Sequence, residues 1–475
     1  MPIKKIPIAE SIIKAVDEVG LVTHGAELRD GYVDELGNIN RRPGLVEFAD
    51  TGEDAAVDGL HWWDSQDRVI LVCNGKTFQI TDNGGTIAEI SGDTFEVGDP
   101  VVFADYGTAI YGANGAKIMK ITTSAVAEMA DEDAPTTVTH VGFLDRYLLA
   151  NEVGSRNFHS SDVGAPDDWS GNSWDVEGKL DNLQALGVAD LEILALCEKT
   201  AEVWVDDGTT PFVRELQGFI ELGTMAPNSL AWCTEVADAD GFWVWMDQYR
   251  RVVRLYERTP VELSTTMTKY IQAFTTVNDA IGNHMVIDGR HWYILHFPTE
   301  GETLAYELSS KRWYLWSYYN TGTATYDRWR GNCYCLSPDW NFALVGDHGN
   351  GKVYKFDAST YDDDGNSIRT MIRTAHINWG SELVEKRSKS LTFRVKKSNV
   401  DAVADAAELL VKWRDDGNSS WQTEMTVALG QVGNTEFRGH LRRLGKYHSR
   451  QYQITLTDDH PLLLVSVEED FDFLR

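Results

Sequence analysis

Gly346-Asp-His-Gly-Asn-Gly-Lys352 has the outline of the G-x-x-x-x-G-K half of a phosphate-binding loop. A working loop needs Ser or Thr next, for magnesium, and then a helix whose N-terminus faces the phosphates. Here Val353 follows and opens the strand-like run VYKF, so a Gly-rich hairpin turn is expected. The acid pairs Asp167/Asp168, Asp206/Asp207 and Asp415/Asp416 could supply glycosidase carboxylates, which must sit about 5–9 Å apart with tuned pKa values. Asp415-Asp-Gly417 with Trp421 comes close to an aspartate box, but it occurs once and in the tail of the chain. A turn between two strands, fixed by Asp-Gly and packed under Trp421, is expected instead. His284, His291 and His296 cluster in sequence, yet 291 and 296 point to opposite faces of a strand and cannot share a metal. Cys333-x-Cys335 has the wrong spacing for a zinc knuckle, and the other cysteines, Cys73, Cys197 and Cys233, lie singly, mostly in apolar runs. Buried thiols of a reducing compartment are expected. No HExxH and no Gly-x-Ser-x-Gly elbow is present. No catalytic, cofactor-binding or metal-binding residue is predicted.

The elements that carry these residues are strands. Period-2 apolar alternation dominates the 475 residues, 43% of which are hydrophobic. Four-strand groups start near Asp58, Asp99, Val138, Leu183, Asn228, Asn283 and Gly322, a recurrence of roughly 40–45 residues with one longer interval. That spacing predicts an all-β fold with a β-propeller, because a lone blade cannot bury both faces. Strand counting leaves six and seven blades open, and a series of β-sandwiches is the competing architecture. The long interval accommodates a helix over 264–281, with Ser264 as N-cap and Met267, Tyr270, Ile271 and Phe274 on one face. Trp62-Trp63, Trp243, Trp245, Trp313, Trp316 and Tyr318-Tyr319 are read as packing between blades rather than a sugar-binding platform. Residues 1–50 are expected to form a leading segment, 51–360 the propeller, and 366–475 a C-terminal antiparallel β-sandwich.

Charge divides the chain at the same place. The net charge is −30, from 43 Lys and Arg against 73 Asp and Glu. Residues 366–475 hold 16 basic and 15 acidic residues, so 1–365 carry −31. The polar stretch Tyr361-Asp-Asp-Asp-Gly365 marks the boundary. Such acidity opposes binding to nucleic acid and to anionic membranes. No apolar run is long enough for a membrane-spanning helix, and MPIKKIPIAESII lacks a signal-peptide core. Arg394, Lys396, Lys397, Arg442 and Arg443 in the near-neutral tail could face an acidic partner or an adjacent propeller, or form a solvated mixed-charge face.

Several segments in the same order resemble the packaged-DNA stabilisation, or tail nozzle, proteins of short-tailed bacteriophages. They are Met1-Pro-Ile3 and Arg42-Pro43-Gly44; Asp145-Arg146-Tyr147, His159-Ser-Ser-Asp162 and Asp168-Trp169; and Glu198-Lys199-Thr200 with Glu202-Val-Trp204, then Gly218-Phe-Ile-Glu221-Leu-Gly223. Further on come Gly346-Asp347 through Gly351-Lys-Val-Tyr354, Val411-Lys-Trp-Arg-Asp415-Asp416-Gly417 with Trp421, and Arg443-Leu-Gly445 with Arg450. The first 40 residues match poorly, and Arg414 stands where a serine-like turn residue is expected. The resemblance implies a non-enzymatic structural virion protein without cofactors, made in the host bacterial cytoplasm and residing in the phage tail. It implies a hexameric ring below portal and adaptor proteins, through which duplex DNA passes and to which tail fibre, spike or needle proteins attach. The named residues are then structural or assembly positions, and 366–475 a docking or platform domain. An acidic lumen would repel the duplex, although the sequence leaves open where the carboxylates point. The rival readings are a virion-associated propeller glycosidase or depolymerase and a carbohydrate-binding adhesin.

Overall fold

The computed structural model describes residues 3–8, 26–208, 211–236, 240–396, 408–429, 436–458, 460–461 and 463–474. Met1, Pro2 and Lys397 lie outside them.

Seven four-stranded antiparallel blades, at 57–90, 102–128, 141–175, 183–220, 231–262, 281–320 and 331–357, form a ring. The inner strand of each touches that of the next, and blade 7 returns to blade 1. The last group starts at Gly331, not near Gly322. Thr325–Arg328, whose alternation imitates an inner strand, instead pairs with Ser317–Asn320 on the outside of blade 6. The long helix expected over 264–281 is also corrected: only Thr268–Gln272 is helical. Ser264 does not cap it, because its Oγ accepts the Val252 amide at 2.9 Å. β-Branched Thr265, Thr266, Thr275 and Thr276 shorten the run from both sides. Met267 and Ile271 are buried nonetheless.

Blade 7 takes only three strands from its own stretch of chain. The fourth is Gly44–Asp50, which pairs with Lys352–Asp357 and closes the ring with N-terminal chain. The leading segment is thus no separate unit. Its strands Gly31–Val33 and Ile39–Arg41 join Leu463–Phe473, Lys386–Lys396 and Glu436–Arg442 in one tail sheet. Its Glu27–Arg29 joins Thr370–Arg373, Arg450–Leu456, Glu408–Asp415 and Met425–Ala428 in the other, and also meets Leu315 of blade 6. Leu391, Phe393, Leu409, Val411, Ile454 and Val467 pack between these two sheets as a sandwich core. Alternation makes this possible: in 408–415 the odd positions 409, 411 and 413 are buried while Lys412 and Arg414 face outward. No described helix is long and apolar enough to cross a membrane.

Candidate functional site

The most densely connected polar site is the knot where leading segment, propeller and tail meet. Arg42 is fully buried and uses all five of its N–H donors. Nε donates to Asp30 Oδ1 at 2.9 Å. Nη1 donates to Asp363 Oδ1 at 2.9 Å and to the Pro43 carbonyl at 3.3 Å. Nη2 donates to Asp363 Oδ2 at 2.5 Å and to the Ser317 carbonyl at 3.0 Å. The guanidinium lies between Trp316 and Trp329, 5.9 Å from each ring. Burial pushes the Asp30 carboxyl upward; Arg42 and the Ser317 amide and hydroxyl oppose that shift. Arg41 binds the other side, donating to Thr370 Oγ1 and to the carbonyls of Ile368, Asp458 and His460. Pro43 and Gly44 are buried beside the knot. A Cβ on Gly44 would stand 2.2 Å from the Asp362 carbonyl oxygen, so only glycine lets these backbones approach. Sequence reasoning singled out Arg42 but missed Asp30 and Ser317, and read the acidic run that contains Asp363 as a boundary marker.

The remaining family-motif positions form local supports. Asp145 and Arg146, both at positive φ, are the two-residue turn of blade 3, joining Leu144 to Tyr147. In blade 4, Glu198, Lys199 and Thr200 turn between strands, and the buried Asp181 carboxylate accepts the Lys199 and Thr200 amides at 2.8 and 3.0 Å. Glu202 is buried, accepting the Gly178 amide and pairing with Arg214 at 3.2 Å. Trp204 packs edge-on against Phe158. Gly218 sits at the bulge of its strand, where a Cβ would stand 2.7 Å from the Val203 carbonyl oxygen, and Gly223 lies against Cys197 and Lys199. Glu221 is exposed and pairs with Lys179. Gly346 to Lys352 is a hairpin between Phe342–Asp347 and Lys352–Asp357, without a helix. Gly346 packs on Cys333 and Val57, and Gly351 on the Glu53 carbonyl. Asp347 is buried, bonded to Tyr354 Oη at 2.9 Å and to Arg330 at 3.3 Å.

In the tail, Arg450 is fully buried, held by Asp415 at 2.6 and 2.9 Å and by the Leu444 carbonyl. Asp416 and Gly417, at positive φ, form the expected turn. Arg443 and Gly445 shape a second turn hydrogen-bonded to 388–389. Trp421 departs from expectation: it is half-buried, and what stands over its ring is Arg373, Lys412 and Arg414. Motif positions therefore gather at several structural supports, not at one pocket.

The axis holds a cavity of about 460 Å³ bordered by inner strands of all seven blades. It is narrow because large side chains nest against neighbouring glycines. A Cβ at Gly59 would meet Phe103, at Gly142 Val188, and at Gly187 Trp243, each within 2.6 Å. Its carboxylates are Asp58 and Asp105. The Val101 amide bonds the Asp58 carbonyl, so Asp105 lies four strand residues further along, about 13 Å. The histidines do not converge either. His296 is buried on Trp329, whereas His284 Nε2 and His291 Nδ1 lie 3.3 Å apart. Among the described residues no three His, Cys, Asp or Glu side chains converge as for a metal ion. All five thiols are buried, and burial pushes Cys335 up to about 12.

Burial raises Asp58 to about 6. Its folded pKa exceeds its unfolded one, so its contribution favours the fold below about pH 4 and is lost as pH rises through about 6. Asp58→Asn keeps an oxygen for the Gly98 amide and removes the buried charge. The expected gain is about 1–2 kcal/mol at pH 7.5, shrinking to nothing near pH 4; paired denaturant titrations at the two pH values check it.

The class this geometry defines is a seven-bladed propeller joined by buried ion pairs to a β-sandwich. The model of the phage stabilisation family, described as bacteriophage P22 Gp10, beta-propeller, matches residues 31–361, over two thirds of the chain. The chain belongs to that family and is a phage structural protein. Two solved structures resemble it more distantly. They are the extracellular domain of the putative one component system BT4673 from B. thetaiotaomicron and that of the putative hybrid two component system BT4673 from the same organism. Identities are 10% and 11%, the TM-score is 0.44 for each, and the match covers 87% of this chain and 62% of either structure's chain. The chain thus spans less than two thirds of their length. No curated protein matches it.

Proposed function

We propose that this chain is a tail nozzle subunit: it assembles, as a hexamer, into a ring below the portal and adaptor. The ring extends the DNA channel, retains packaged DNA, and supports tail fibres, spikes or a needle. The observation that carries this reading is the narrow propeller axis. A duplex whose major groove alone is about 12 Å wide has no route through a cavity of about 460 Å³, so a conduit must run between copies. The −30 charge suits that role, because a surface that neutralises no phosphates releases no counterions and leaves the duplex free to slide. Aromatic burial also favours it over an adhesin, since Trp63, Trp243, Trp245, Trp313 and Trp316 are packed inside.

Mass photometry of the purified protein with the cognate portal–adaptor complex tests the reading. Six added copies are expected, and a chain that ignores the complex would overturn it. Independently, duplex DNA is expected to bind more weakly than about 10⁻⁴ M at physiological salt, the weak end of non-specific binding. Micromolar affinity in a fluorescence-anisotropy titration contradicts passive conduction.

A further inference from the structure

Resting on the reading of the chain as a ring subunit, we infer that the tail face around Trp421 is a docking surface for the acidic flank of blades 2 and 3 on a second copy of this chain. The cations that crowd this face come from different strands. Arg373, Gln453 and Lys412 lie in one cross-strand row, and Arg414 stands opposite Gln451 on the same face. The half-buried Trp421 ring has the Arg414 guanidinium 4.9 Å away, the Lys412 ammonium at 5.4 Å and the Arg373 guanidinium at 5.6 Å. Arg369 continues the patch, 4.4 Å from the Tyr319 ring.

Facing carboxylates answer this charge only in part. Glu27 pairs with Arg373 at 2.8 Å but is shared with Arg29, and exposed Glu424 influences Lys412. Burial, then the nearby Arg369 and Arg373, hold Lys412 below the usual lysine range, and burial with Arg373 does the same to Arg414. Like charges gathered on an otherwise acidic chain, with aromatic rings among them, form the Arg, Trp and Tyr composition of an interface hot spot. This patch is distinct from Arg394, Lys396 and Arg442, which lie on strands of the other sheet.

The complementary surface lies across the ring. Glu132, Asp133, Asp167 and Asp168 are exposed, and the Trp169 amide bonds Asp131, which brings the two acidic loops together. Their nearest paired cation is Lys120, on Asp167. The tail is fastened to blades 6 and 7 through Arg42, whereas this knob belongs to blades 2 and 3, two to three blades away around the ring. Basic patch and acidic knob thus lie on different flanks of one molecule. Such a contact is head-to-tail, and head-to-tail contacts build rings when the rotation closes. Complementary fields also steer the encounter.

The test uses two charge-reversed full-length variants, Lys412→Glu/Arg414→Glu and Glu132→Lys/Asp168→Lys, with unfolding midpoints measured as a folding control. Association is followed by sedimentation velocity at high protein concentration, and by mass photometry on the portal–adaptor complex. Wild type is expected to self-associate in at least one setting, and each variant alone to weaken that at least tenfold. An equimolar mixture is expected to restore it, because every contact then pairs opposite charges when the variants alternate, with the basic patch on the acidic knob at one junction and the acidic patch on the basic knob at the next. Variants that assemble like wild type overturn the contact while the nozzle reading stands. Loss without rescue by mixing also overturns it, since the patch would then meet another protein, and so does a wild type that self-associates in neither setting. Rings that form in solution but ignore the complex support the contact and sink the nozzle reading instead.

Discussion

Arg42→Met is expected to lower the unfolding free energy by at least 3–5 kcal/mol, the cost of breaking one buried ion pair by removing a partner. Two carboxylates, Asp30 and Asp363, lose their counter-charge together here, both at 1% exposure. Neither can reach water without opening the contact between leading segment, blade 6 and tail. Arg42→Lys should rescue only in part, because an ammonium has three donors and cannot hold Asp363 with a flat fork while reaching Asp30 and Ser317. Adding Asp30→Asn and Asp363→Asn to Arg42→Met should recover a measurable share of the loss, since the penalty is uncompensated charge and not lost packing. Chemical denaturation of the four proteins decides the matter. An Arg42→Met midpoint within error of wild type would show that the knot carries no stability.

Deletion of residues 1–50 should have a larger effect still: no soluble protein with a cooperative transition. It removes the fourth strand of blade 7 and leaves Lys352–Asp357 as an open edge. From the tail it takes four strands: Ile3–Lys5, Gly31–Val33, Ile39–Arg41 and Glu27–Arg29, the last of which ties the second sheet to blade 6. An unpaired edge also favours aggregation. A milder variant, Gly44→Val, confines the damage to the closing strand, where the new side chain would collide with the carbonyls of Thr360 and Asp362. Expression, light scattering and circular dichroism of both check this. A truncated chain that melts like wild type would mean that the ring closes without its N-terminal strand.

These two results concern what was hardest to see beforehand. By itself the sequence determined the all-β class, the blade starts at 57, 102, 141, 183, 231 and 281 to within a few residues, and the strands of the tail. Those follow from period-2 alternation and from turn residues such as Asp416-Gly417, which act over a few residues. It also showed that Gly346–Lys352 is a hairpin, because Val353 begins a strand. Local pattern misled where two elements look alike, as with Thr325–Arg328, and where a helical face was longer than the helix, as around Ser264. Seven blades rather than six, the closing strand, the narrow axis and the partners of Arg42 were decided by tertiary structure alone. Arg42 and Asp363 are 321 positions apart, and nothing in either neighbourhood encodes the other. Chain closure brings them together, and once they are buried the need to neutralise charge holds them there.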